Sequence, residues 1–254
     1  MQRTRRIKRY NKMEKIKYGE HENQYLRVYL PEAEKFPVVV YLHGGGLGAG
    51  VPEQEFVDSL VKKGVAVVSG QYRMYPDAKY PQFIEDGASV IAWAKENMGK
   101  YGEVTDLFVV GTSAGAYISM LLCFDKKYLA KHGISNDDIS GYIHNAGQPT
   151  THFNVLIERG FDSRRSIIDE AAPLYHVCEN KYPPMEFIVA DNDMACRYEE
   201  TKLLIAKLKH FGNDMSKIKF TLMENYEHCE YKNVRDENGE YIFANMIYEF
   251  ITEV

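Results

Sequence analysis

The sequence predicts an α/β fold: a mostly parallel, doubly wound sheet with helices on both faces. Short apolar runs alternate with amphipathic helical patterns from about residue 25 almost to the C-terminus. Such alternation is the mark of a parallel sheet covered by crossover helices. Two glycine-rich segments each follow an apolar run directly, at 43–46 and at 111–115. The hydrophobic fraction of 45% is ample for a buried core.

The elements follow in order. Residues 25–30 alternate and predict a half-exposed first strand. Residues 38–42 (Val-Val-Val-Tyr-Leu) are apolar throughout and predict a buried strand. Over 53–63, Phe56, Val57, Leu60 and Val61 recur at helical spacing. Residues 65–69 predict a strand, and 83–97 a helix with Ile84, Val90, Ile91 and Trp93 inward. Residues 107–110 predict the strand before the second glycine segment, with a helix after it through Tyr117-Ile118-Ser119-Met120-Leu121-Leu122. Strands are expected at 141–146, 187–190 and 218–222. Helices are expected at 198–211, with Leu203, Leu204 and Leu208 on one side, and at 241–251. The stretch between the strands at 141–146 and 187–190 carries no strand pattern, and a segment of that length is usually functional or holds its own helices. Residues 147–180 are therefore expected to form a small cap over the sheet's carboxyl edge, with His152 and Phe153 as candidate substrate contacts. No repeat, low-complexity tract or linker interrupts the chain, so 1–254 is read as a single domain.

Composition excludes several functions. The net charge of −5 gives no reason to propose nucleic acid as partner. Residues 1–17 are basic (Arg3, Arg5, Arg6, Lys8, Arg9, Lys12, Lys15 and Lys17 against Glu14) and lack the apolar core of a secretory signal. Residues 1–20 are expected to be a solvated, flexible extension. No apolar run reaches the length of a membrane span. Cys123, Cys178, Cys196 and Cys229 lack metal-site or disulfide-framework spacing. Free thiols in a cytoplasmic protein without metal or organic cofactor are the expectation.

Gly111-Thr112-Ser113-Ala114-Gly115 carries the chemistry. A serine on a tight strand-to-helix turn has strained backbone angles, and side chains two residues either side would meet neighbouring backbone. Its hydroxyl is then exposed at the sheet's carboxyl edge, above a helix N-terminus. Ser113 is the candidate nucleophile. His43-Gly44-Gly45-Gly46 is the second motif. Acyl transfer places negative charge on the former carbonyl oxygen, and each N–H aimed at it is worth about 3 kcal/mol. Gly45, Gly46 and Ala114 are the candidate oxyanion hole, with Gly44 weaker. A phosphate loop is excluded because no Lys-Ser/Thr follows the glycines. His43 is expected to brace the loop.

A serine nucleophile needs a histidine base and a carboxylate to hold that histidine. Six histidines follow Ser113: His132, His144, His152, His176, His210 and His228. Only His228 lies beyond the last predicted strand, in a polar loop spanning 224–230, and it is the candidate base. The acid is expected after the strand at 187–190, where Asp191 and Asp193 compete. Asp193 is favoured because it sits on the turn; Asp191 would cap the next helix or brace the turn.

With these residues the chain resembles the α/β-hydrolase serine esterases of the hormone-sensitive-lipase, feruloyl-esterase-like and kynurenine-formamidase-like groups, from about Tyr25 onward. Tyr72-Arg73-Met74-Tyr75-Pro76, with Pro81 and Asp86, resembles a structural element of that group. The resemblance implies the α/β-hydrolase fold with its cap after the fold's sixth strand, and an acid at Asp193. It departs at Ala116, where the group often has a second glycine. The expected function is a serine carboxylesterase hydrolysing small acyl esters through an acyl-enzyme, including acetyl or feruloyl esters of carbohydrates. An amidase or aryl formamidase on the same triad is the alternative, and a non-catalytic ligand-binding hydrolase fold is the third reading. A small-molecule ester is the expected partner, without nucleic acid or membrane.

Overall fold

The computed structural model describes residues 15–254. In chain order the strands are β1 Ile16–Lys17, β2 Tyr25–Tyr29, β3 Lys35–Leu42, β4 Ala66–Gly70, β5 Glu103–Thr112, β6 Gly141–Asn145, β7 Met185–Asn192 and β8 Ile218–Glu227. The helices are α1 Val57–Lys62, α2 Gln82–Asn97, α3 Ala114–Phe124, α4 Lys127–Ala130, α5 Phe153–Glu158, α6 Pro173–His176, α7 Arg197–His210 and α8 Ile242–Glu253. The strands form one eight-stranded sheet in the order β1-β2-β4-β3-β5-β6-β7-β8. β1/β2 and β2/β4 pair antiparallel, and every later pair is parallel.

The apolar runs are continuous because helices cover both faces. On β3, Val38, Val40 and Leu42 pack with Phe83, Ile84 and Ile91 of α2 and Ile118, Leu121 and Leu122 of α3. Val39 and Tyr41, pointing the other way, pack with Val57, Leu60 and Val61 of α1 and Phe243, Ile247 and Phe250 of α8. Period-two alternation thus divides one strand between two core layers. Each such side chain, fully buried, stabilises the fold by about 1.5–3 kcal/mol. In this sheet the carboxyl ends of β3, β5, β7 and β8 lie along one edge, where ligand sites of open α/β sheets form.

The expectations were met unevenly. Of the basic N-terminal stretch, residues 1–14 lie outside the described residues, while Ile16–Lys17 pairs with Leu26 and Tyr25, so the extension is in part sheet. The helix expected over 53–63 shrinks to Val57–Lys62 because its first turn is held elsewhere: Glu53 pairs with Arg27 at 2.7 Å, and Ser69 Oγ donates to Pro52 O at 2.5 Å. Of the three leucines expected inward on α7, Leu204 and Leu208 are buried and Leu203 is 50% exposed. Adjacent residues on a helix lie about 100° apart, so 203 and 204 cannot share one narrow buried stripe. Trp93 is half-buried, with its neighbours Ala92 and Ala94 taking the inner positions. The segment 147–180 holds two short helices, α5 and α6, and no strand.

Candidate active site

Ser113 joins β5 to α3 with φ 53° and ψ −114°. A non-glycine residue there costs about 1–3 kcal/mol and persists only where surroundings enforce it. Two contacts supply the enforcement. A Cβ built on Gly115 would lie 2.0 Å from Leu42 O, so α3 meets the end of β3 at a distance only glycine allows. A Cβ on Gly111 would lie 2.3 Å from Gly115 O, which closes the turn on itself. The Ser113 N–H donates to Asn145 O at 2.7 Å, fastening the turn to the end of β6. Ala116 is buried without displacing this geometry.

His228 and Asp193 converge on that serine. Ser113 Oγ lies 2.8 Å from His228 Nε2, and His228 Nδ1 lies 2.5 Å from Asp193 Oδ1. The Asp193 side chain is 1% exposed, and its Oδ1 also accepts the Met194 N–H at 2.7 Å. An ionised carboxylate accepts from Nδ1–H, which leaves Nε2 bare to accept the serine proton. The route by which His228 arrives differs from the expectation. β8 runs on to Glu227, and its register with β7 shifts between Ala190↔Met223 and Asn192↔Glu227. Asn225, with φ 64°, sits inside that shift, and its N–H donates to Asp191 Oδ2 at 3.0 Å. Asp191 thus braces the bulge that aims His228, while Asp193 touches the imidazole.

The glycine loop runs against the serine: a Cβ on Gly44 would stand 3.1 Å from Ser113 Cβ. Gly45 has φ 119°, and its carbonyl accepts from Gly48 and Ala49, closing the loop. Gly45 and Gly46 follow Gly44, which itself lies against Ser113 and Thr112 directly ahead of α3, whose first residue is Ala114. His43 is 1% exposed and stacks on Tyr72 at 4.4 Å. Its Nδ1 lies 2.6 Å from Gly44 O and its Nε2 2.5 Å from the Gln71 amide oxygen. Burial lowers its pKa, against the raising effect of these two hydrogen bonds. Tyr72 OH donates to His43 O at 2.8 Å, and the Tyr75 N–H donates to Leu47 O at 2.7 Å. Arg73 forks onto Asp86 at 2.8 and 2.7 Å. The Tyr72–Arg73 element therefore holds the glycine loop from below.

His152 is displaced from its expected role. It is 2% exposed, its Nδ1 accepts the Asn154 N–H at 3.2 Å to cap α5, and its ring packs against Tyr117 and Phe153. It supports α5 and presents no face to a substrate. Phe153 is half-buried and does reach the glycine loop, its Cζ 3.2 Å from a Cβ built on Gly46. Asn154, missed in the sequence, donates its amide to Gly46 O. Nothing local in Phe153-Asn154 marks that tether. Cys229, beside His228, has its thiol pushed up to about 12, first by burial and then by Asp193, so it stays protonated. Among the described residues no cluster of His, Cys, Asp and Glu could hold a metal ion, and no helix is long and apolar enough to cross a membrane.

Three buried histidines are expected to make the fold acid-sensitive. A histidine in the unfolded chain titrates near about 6.5. Burial holds His144 down to about 3 and shifts His43 and His152 in the same direction. Below its ordinary pKa each binds a proton only when unfolded, so stability falls as pH drops from that value, by about 1.4 kcal/mol per pH unit per histidine. The urea midpoint is expected to be lower at about pH 5 than at about pH 7. Equal midpoints would contradict this reading.

Comparison with known proteins adds kinship. The family model described as BD-FAE matches residues 26–138. Esterase LipC of Mycobacterium tuberculosis is 24% identical over 80% of this chain and 57% of its own length. The chain spans from 30% to 57% of the length of the curated relatives it matches. Among solved structures, Thermogutta terrifontis esterase 2 phosphoramylated by tabun superposes with a TM-score of 0.75 at 20% identity, covering 94% of both chains. A truncated carbohydrate esterase from gut microbiota gives 0.74 at 16% identity, covering 96% of this chain and 97% of that one. The sheet order, the turn at Ser113 and the solved structures agree on the fold, which is that of the α/β hydrolases, and the proteins this chain is similar to are esterases.

Proposed function

We propose that the protein is a serine carboxylesterase hydrolysing small acyl esters through an acyl-enzyme. The hydrogen-bonded series from Asp193 through His228 to Ser113 carries the reading. His228 Nε2 takes the Ser113 proton as Oγ attacks the ester carbonyl. The resulting oxyanion is received by the N–H groups of Ala114, Gly45 and Gly46, each worth about 3 kcal/mol. Asp193 stabilises the imidazolium, which gives its proton to the departing alcohol. Water then repeats the sequence on the acyl-enzyme, with His228 again as base.

The segment 147–180 is read as a small cap that sets substrate size. Phe153, on its first helix, packs at Gly46 and narrows the approach to Ser113. A groove for a long chain would add about 0.8 kcal/mol for each buried CH₂, and with Phe153 in place acetyl to butyryl esters are expected to react fastest. The structural likeness to a carbohydrate esterase makes acetylated and feruloylated sugars the first natural candidates. The test is kcat/KM across p-nitrophenyl esters of rising chain length, acetylated and feruloylated sugars, and N-formylkynurenine. Phe153→Ala is expected to shift the optimum to longer chains. A wild-type preference for decanoyl or longer esters would overturn the size assignment, and fastest hydrolysis of N-formylkynurenine would move the reading to a formamidase.

A further inference from the structure

We propose that a cationic pocket beside the glycine loop is a subsite for a carboxylate, so that the preferred substrate is an ester bearing an anionic group. The inference rests on the esterase reading for its catalytic consequence. The pocket itself stands on separate observations.

A cavity of about 290 Å³ lies between Phe153 and Met194. The Phe153 ring meets the glycine loop at Gly46, and Met194 directly follows Asp193. The cavity therefore opens beside both the loop and the acid. Its charged lining is Arg164, Arg165, Arg197 and Glu200. Three arginines and one glutamate thus line it.

Arg197 is the decisive residue. It opens α7, is 4% exposed, and offers five N–H donors. Nη1 donates to Ala146 O at a long 3.3 Å, Nη2 meets the Met194 sulfur at 3.8 Å, and Nε has no partner. A buried guanidinium costs several kcal/mol unless a carboxylate and full hydrogen bonding compensate it. Asp193 and Glu200 lie near enough to act on its charge, but neither hydrogen-bonds the guanidinium. Asp193 holds His228, and Glu200 Oε1 accepts from Thr150 Oγ1 at 3.0 Å and Ser166 Oγ at 2.7 Å. Arg164 forks onto the exposed Asp162. What Arg197 lacks is a planar anion, and a ligand carboxylate matches the guanidinium fork in shape and charge.

The test compares matched ester pairs. Monoethyl succinate against ethyl butyrate places the charge on the acyl side, and 2-acetoxypropanoate against isopropyl acetate places it on the alcohol side. The charged-to-neutral ratio of kcat/KM is measured in wild type, Arg165→Gln and Arg197→Met, so that intrinsic reactivity cancels between enzymes. In at least one pair the ratio is expected to fall about tenfold or more on losing Arg197, and by a smaller factor on losing Arg165. The responding pair identifies the side of the ester that enters. Ratios unchanged within about twofold in both variants and both pairs would overturn the proposal. Succinate titrated calorimetrically into Ser113→Ala reads the pocket without turnover. Binding there that is lost on adding Arg165→Gln supports the subsite even if no ester is hydrolysed, and absence of binding counts against it. Should Arg197→Met fail to fold, Arg165→Gln still decides the matter by both measurements.

Discussion

Ser113→Ala is expected to lower kcat by about 10⁴-fold or more, and His228→Ala by a similar factor. The two should not be additive, because nucleophile and base act as one unit through the 2.8 Å contact between Oγ and Nε2. A fluorophosphonate is expected to label the wild-type protein at Ser113, with mass spectrometry locating the adduct in the peptide around Gly111–Gly115. Labelling that persists at full rate in Ser113→Ala would refute the assignment. The fold itself should tolerate the change. The φ of 53° at Ser113 is imposed by the Gly111 and Gly115 contacts and the bond to Asn145 O, none of which uses the hydroxyl.

Asp193→Asn should cost about 10⁴-fold in kcat, far more than its loss of one hydrogen bond in stability. An amide at 193 can present an N–H₂ to Nδ1, which favours the tautomer that protonates Nε2 and blocks proton transfer from Ser113. Asp191→Asn makes the control. Its Oδ2 accepts only the Asn225 N–H in the β8 bulge, a bond an amide oxygen can still accept. A loss of no more than about tenfold is expected there, through looser aiming of His228. If Asp191→Asn is the more damaging substitution, the assignment of the acid is wrong. Circular dichroism melting of both variants separates a positioning effect from partial unfolding.

The parts of the molecule that were legible in the chain are those governed by local sterics and short periods. The turn at 111–115 is such a part at Gly111, which answers to an atom of the turn itself, whereas Gly115 answers to a neighbouring strand. At Gly111 the limiting atom is Gly115 O, and at Gly115 it is Leu42 O at the end of the neighbouring strand. The continuous apolar runs were legible for a related reason: a strand covered on both faces, such as β3, offers few positions to a polar side chain. Where periodicity was stretched too far it failed. Leu203 was grouped with Leu204 although a helix turns them to different sides.

The turn at Ser113, the loop of glycines and the alternation of strand with helix were thus legible in the sequence alone, because each follows from spacing or backbone sterics. The series Ser113, Asp193, His228 was expected from the chain order of such sites, and the structure brings the three within hydrogen-bonding distance. Tertiary structure decided the rest. The extension of β8 and its bulge at Asn225, the bracing task of Asp191, the burial of His152, the tether from Asn154 to Gly46 and the unpaired guanidinium of Arg197 all depend on which elements meet in space. Asn154 and Gly46 are 108 residues apart, and Ser113 and His228 are 115 apart. A side chain's partner across such a separation is chosen by sheet order and loop path, and the surrounding sequence encodes these only through the packing of the whole core.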